Sequence, residues 1–440
     1  MSNDKMKIKE SDLAAIAAMS GSYPTSKISN AMINLKIMAL KLAIPRLAKI
    51  ACCGVLLFAL TALIQPATAA GQQLDRQGDY TAGSIYNGLS TATVYQGLMV
   101  TAVRLNSTGE LKLIAWEVSG NGQGDVAGGE EVVRKGSIVS PGYVSIVAIV
   151  NMGNHRVVTA ARNQDGNLQL ILWQISSDGL QIEKKDEYVA GGVTEISLAF
   201  LTTSQFVTAV RLTNGNLKLI VWKILDGHLI DRRGDYTAGA ITKVSATSTG
   251  ALGNGSGLVT AVRLKSGGLL KLISWWISND GLTIERRDSA VAGAVSQVAI
   301  VHSGTYAETG FTNVQDVVVT AVRDSDGNLK LISWWVSEDS LQLITRKDDA
   351  VAEAVSKVAI TRVGTPFHSD RLITSVRDGD GILKLTAWDV TSQGQITRQQ
   401  DAYAGGISDL AANRVWSNYL VTAVRTNSGN LKLIAWKHSF

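Results

Sequence analysis

The feature that most constrains this chain is its internal repetition. A V-T-A-V-R unit recurs with its last residue at Arg104, Arg162, Arg211, Arg263, Arg323, Arg377 and Arg425, with V-T-A-A-R and I-T-S-V-R as variants, at spacings of 48 to 60 residues. After each comes L-K-L-I-x-W, whose Trp falls at Trp116, Trp173, Trp222, Trp275, Trp334, Trp388 and Trp436. A Gly-containing turn such as D-S-D-G-N separates the two units. Two β-rich runs joined by Asp-Gly or Asn-Gly predict a hairpin. A third unit (L-T-I-E-R-R-D-S-A-V-A-G-A) and a fourth (V-S-Q-V-A-I) follow. The 3.6-residue helical period is absent throughout residues 71–440.

Four short antiparallel strands, repeated every fifty residues or so, are the arithmetic of a seven-bladed β-propeller. The chain ends support that reading. Residues 72–83, Q-Q-L-D-R-Q-G-D-Y-T-A-G, match the third unit, while the C-terminus stops just after L-K-L-I-A-W. The N-terminal strand is therefore expected to pair into the C-terminal blade, which closes the ring and removes an open edge. On these units the chain resembles the seven-bladed β-propeller superfamily over residues 70–440. Strand order and ring closure are similar to those of WD-repeat propellers, without WD, Kelch or integrin-type signatures. The resemblance implies a fold and no activity.

The recurring residues are the first candidates for chemistry. Each repeat Trp fits a strand position that buries a large aromatic. Trp276, Trp335 and Trp416 break that pattern; Trp276 and Trp335 must point away from Trp275 and Trp334 and are candidate stacking surfaces for a ligand. A two-residue turn would set Arg323 directly opposite Lys330, with the same register in the sister repeats. Like charges opposite one another are unfavourable, so an acid is expected between them: Asp79, Asp186, Asp235, Asp288, Asp348 or Asp401. Two readings follow. The seven arginines form Arg–Asp bridges between blades, or they line repeated cationic pockets for acidic groups such as uronate or sulfate.

Asp324-x-Asp326-x-Asn328 and Asp378-x-Asp380 resemble the opening of a calcium loop, but the twelfth position, where a bidentate Glu belongs, is Trp335. Turn capping is the competing reading, and no other cofactor is implied. The five histidines have no metal spacing, and no catalytic motif is present. Departures from the repeat, at Ser119–Glu131, Thr247–Gly257 and Ser303–Asp316, are expected to be loops.

Residues 50–64 form an apolar run preceded by Lys41, Arg46 and Lys49 and followed by Ala67-Thr68-Ala69. That is the layout of a secretory signal peptide over residues 46–69. Residues 1–45 read as disordered or as a mis-assigned start, with Met38 as the alternative initiator. Both cysteines lie inside the apolar run, so the body needs no disulfide and has no thiol chemistry. The formal charge of +5 is misleading: residues 1–70 hold eight basic and three acidic residues, which leaves 34 of each beyond them. A neutral body excludes a phosphate-tracking nucleic-acid surface. The expected protein is exported, periplasmic or secreted, bacterial in type, with no membrane span after cleavage. Its expected role is a non-catalytic, multivalent binding module for a glycan or envelope polymer. The alternatives are a polysaccharide lyase or hydrolase with one site at the central channel, and a protein-interaction scaffold.

Overall fold

The computed structural model describes residues 73–119, 132–307, 314–364 and 370–439. The signal-peptide segment, the calls on residues 1–45 and most of the Ser119–Glu131 insert lie outside them. Among the described residues the protein is all-β, an antiparallel arrangement of 21 strands. No helix among them is long and apolar enough to cross a membrane.

Seven strands are long: β1 (Gln73–Tyr95), β4 (Val132–Gly153), β7 (Ile182–Thr202), β10 (Leu229–Leu252), β13 (Ile284–Ala307), β16 (Ile344–Val363) and β19 (Ile396–Trp416). In these the third and fourth units, expected as separate strands, run on as one continuous strand. Its two halves have different partners. The first half of β13 pairs with β12 (Leu269–Ser278), and its second half pairs with β14 (Val314–Asp324). Each long strand touches the next, and β19 touches β1. The first half of β1 pairs with β21 (Asn430–Ser439) from Gln73 opposite Ser439 to Ser84 opposite Asn430. The second half of β19 continues that group through β20 (Tyr419–Thr426). The arrangement is closed by the two ends of the chain, as the repeat arithmetic requires.

Where a long strand changes partner it turns a corner at a buried β-branched residue: Ile85, Val144, Val193, Ile241, Val295, Val355 or Ile407. Each corner N–H donates to the carbonyl of the preceding hairpin's turn glycine at 2.8–2.9 Å, as Val295 does to Gly268. The glycine is needed there. Gly327 has φ +88°, the left-handed region, and a Cβ on it would stand 3.0 Å from Arg323 Nη2.

The core lies between neighbouring groups of strands. All seven repeat tryptophans are at most 1% exposed. Each indole Nε1 donates to the threonine hydroxyl of its own V-T-A-V-R or equivalent unit at 2.9–3.1 Å. That bond satisfies a polar atom whose burial would otherwise cost about 1–3 kcal/mol. Tyr80, Tyr188 and Tyr236 each lay a ring edge-on against the tryptophan of the following group. The described residues of segments 247–257 and 303–316, expected as loops, are largely strand: β10 continues to Leu252 opposite Gly255, and β13 continues to Ala307 opposite Val314.

Candidate functional site

The V-T-A-V-R arginines stand beside the corners. The hairpin is not a two-residue turn. Gly327 N–H closes back on the Asp324 carbonyl, and Asp324 Oδ1 accepts the N–H groups of Asp326 and Asn328 at 3.0 and 2.8 Å. The longer turn shifts the register by one residue: Arg323 faces Leu329, and Lys330 faces Val322. The expected Arg–Lys apposition is therefore corrected at Arg323 and equally at Arg162, Arg211, Arg377 and Arg425. Asp378 caps its turn in the same way, through Asp380 and Ile382. Asp324 and Asp378 thus carry the turn chemistry that competed with the calcium reading, and Asp326 and Asp380 contribute backbone donors to it.

Six of the seven guanidiniums make the same pair of bonds inside the chain. Arg211 Nε donates to the Ile241 carbonyl at 2.7 Å and its Nη1 to Thr194 Oγ1 at 2.7 Å. Arg162, Arg263, Arg323, Arg377 and Arg425 make the same two bonds to a corner carbonyl and a Ser or Thr hydroxyl. The corner is thus held at both its N–H and its C=O. Arg104 is the exception. Its Nη2 donates to Tyr143 Oη at 2.7 Å, and the rings of Tyr86 and Tyr143 lie 4.0 and 4.4 Å from its Cζ.

The expected acids act elsewhere. Asp79, Asp235 and Asp401 pair with Lys432, Lys218 and Lys384. Asp186, Asp288 and Asp348 accept the N–H of Ile230, Ile344 and Ile396 on the next long strand at 2.6–2.8 Å. These are bridges between groups, made to backbone rather than to the arginines. Lys330 Nζ is 2.5 Å from Asp349, whose carboxyl Lys330 and Arg346 hold below its ordinary pKa. Glu353 is pushed down to about 2: burial opposes this, and the bonds from Arg398 and Lys384 outweigh it.

Trp276 and Trp335 do point away from their buried neighbours and are half-buried. Their faces are covered. Trp276 lies against Gly255, where a Cβ would meet the indole at 2.5 Å, and Arg287 stands 5.5 Å from the ring. Lys347 Nζ stands 3.1 Å over Trp335. Trp335 also packs on the cluster around Val317.

The opening that the repeats leave is axial. Second halves of six of the seven long strands, all but β10, line a cavity of about 910 Å³, within the range of small-molecule sites. Thr91, Thr93, Asn151, Thr361 and Asn413 bring hydroxyls and amides, Tyr95, Phe200 and Trp416 bring aromatic surface, and Arg362 and Arg414 bring charge. Tyr95 and Phe200 are exposed. Trp416 is fixed by its Nε1 bond to the Val118 carbonyl at 3.1 Å and by its seat on Gly97. Arg414 Nη1 donates to the Gly364 carbonyl at 2.8 Å. Desolvation, and then the like charge of Arg362, holds the Arg414 pKa below its ordinary value. No Asp or Glu is among the described residues that line this cavity. Of the cavity residues, sequence reasoning singled out only Trp416.

No family model matches the chain, and no curated protein matches it either. Solved structures similar to it include AofleA from Arthrobotrys oligospora (10% identity, TM-score 0.46, covering 76% of this chain and 92% of that one). Saccharomyces cerevisiae Sqt1 is similar at 12% identity and TM-score 0.46, covering 82% and 98%. The SapL1 lectin in complex with α-methyl fucoside is similar at 14% identity and TM-score 0.46, covering 72% and 97%.

Proposed function

We propose that this chain is an exported, non-catalytic binding protein, a seven-bladed β-propeller of four-stranded blades that takes a glycan in its axial cavity. The blade reading is supported by the partner switch of each long strand, whose first half completes one group of four and whose second half opens the next. The observation that carries the binding reading is the cavity lining. Hydroxyls, amides and guanidiniums beside aromatic rings suit a polyhydroxylated ring with polar edges and apolar faces. The same lining disfavours a hydrolase, because glycoside hydrolysis in most families needs two carboxyl groups facing the scissile bond. The expected multivalency through repeated arginine pockets is set aside in this reading, since six of those arginines already have their partners.

Calorimetric titration of the full chain against neutral oligosaccharides tests the proposal. Saturable binding at one ligand per chain, weakened by Trp416→Ala and Asn413→Ala, is the expected result. Cleavage of any ligand during the titration, or binding indifferent to both substitutions, would overturn it.

A further inference from the structure

Six corners are alike, and the seventh differs at two positions. In the six, the residue after the inner corner is Ser145, Thr194, Thr242, Ser296, Ser356 or Ser408, the hydroxyl that takes Nη1. The residue before the corner whose carbonyl takes Nε is small: Gly192, Ala240, Ala294, Ala354, Gly406 or Ser84. At Arg104 these places hold Tyr86 and Tyr143. The Val144 N–H still donates to Gly109 at 2.8 Å, so the corner itself is intact. The arginine, however, has left the staple, and its Nε has no partner. Turn length is not the cause. Arg263 is as far from Gly268 as Arg104 is from Gly109, and Arg263 makes both staple bonds. The two tyrosines are the cause.

We propose that the Arg104 corner is a binding site for a carboxylate carried on a sugar ring. The Arg104 Cζ lies over the rings of Tyr86 and Tyr143, its Nε is buried, and its Nη groups keep donors beyond the one given to Tyr143 Oη. Those Nη donors match the two oxygens of a carboxylate. No ion pair to Arg104 is present among the described residues to neutralise it. Tyr86 and Tyr143 remain 44% and 40% exposed, so the sugar ring bearing the acid has apolar surface to lie on. The site is distinct from the axial cavity. Tyr86 and Tyr95 lie at opposite ends of the second half of β1, about 30 Å apart at the rise of a strand.

Titration of the full chain with glucuronate and with glucose tests this, using Tyr86→Ser and Arg104→Ala. Glucuronate is expected to bind and glucose to bind at least about tenfold more weakly, the worth of one charge-assisted pair. Tyr86→Ser restores the residue the sister corners use. It is expected to return Arg104 Nη1 to a hydroxyl, with the melting temperature kept or raised and glucuronate affinity reduced about tenfold or more. Equal binding of the two sugars, or glucuronate binding unchanged in Tyr86→Ser, overturns the proposal. So does a Tyr86→Ser protein that loses both binding and thermal stability, because the tyrosine would then be holding the corner and not the ligand. Trp416→Ala is expected to leave this binding unchanged, which separates the site from the axial one.

Discussion

The two ends of the inner wall are made from the same strands and are built in opposite ways. At the hairpin end each corner N–H is held by a turn glycine, and in six cases the corner carbonyl is held by an arginine. At the other end the strands border a cavity whose lining changes in residue type from repeat to repeat: Asn151, Phe200, Arg362 and Arg414 share one repeat position, and Tyr95 and Trp416 share another. The difference teaches where to look in a repeat protein. Residues that recur hold neighbouring units together, and residues that fail to recur are available for a ligand.

The sharpest way to break the comparison is through the core that both ends share. Trp222→Ala should remove about 3–5 kcal/mol of stability, and Trp436→Ala a similar amount, since both indoles are buried and bonded to threonine. Urea denaturation of the two variants measures this, and a much smaller loss at Trp436 would mean that the closing group is packed differently.

Acid should act next, and at the open end. Burial, then the charges of Arg371 and Arg414, push the His438 pKa down to about 4 from 6.5. The unfolded chain takes up this proton before the folded one does. Stability is therefore whole above pH 6.5 and falls as pH drops from 6.5 towards 4, by roughly 3 kcal/mol. His438→Gln should flatten the curve in that window. The Glu353 contribution is lost separately, between 4.5 and about 2. A stability curve unchanged by His438→Gln would remove the pH contrast between the ends.

Arg211→Ala should cost about 2 kcal/mol, because the Ile241 carbonyl and the Thr194 hydroxyl both lose their donor. Arg414→Ala, at the open end, should stay within about 0.5 kcal/mol of the parent while weakening acidic ligands. Equal losses from these two arginines would erase the distinction.

Much of the fold was legible in the sequence, and for a physical reason. Alternation and repetition name the strands, and the match of residues 72–83 to the third unit names the closure. The pairing of Arg323 was not legible, because one extra residue in a turn flips every apposition, and Asp324 capping its own turn is what adds it. The threonine of V-T-A-V-R carried a signal that went unread: a polar residue recurring at a buried position wants a partner, and a recurring tryptophan N–H is one. The partners of Asp186 and Asp288 belong to the next group and cannot be seen from local spacing. The cavity was not legible because its residues come from separate strands and, although they fall at matching repeat positions, differ in type from one repeat to the next. Tyr86 and Tyr143 stood in plain view as exceptions to Ser and Gly, but only the corner geometry gives the exception a meaning.

The pairing of Gln73–Ser84 with Asn430–Ser439 also sets an order of events. The first strand of the ring waits for the last, so the final group cannot zip shut until Asn430–Ser439 is in place. Until then each completed hairpin can form, but the circle stays an arc.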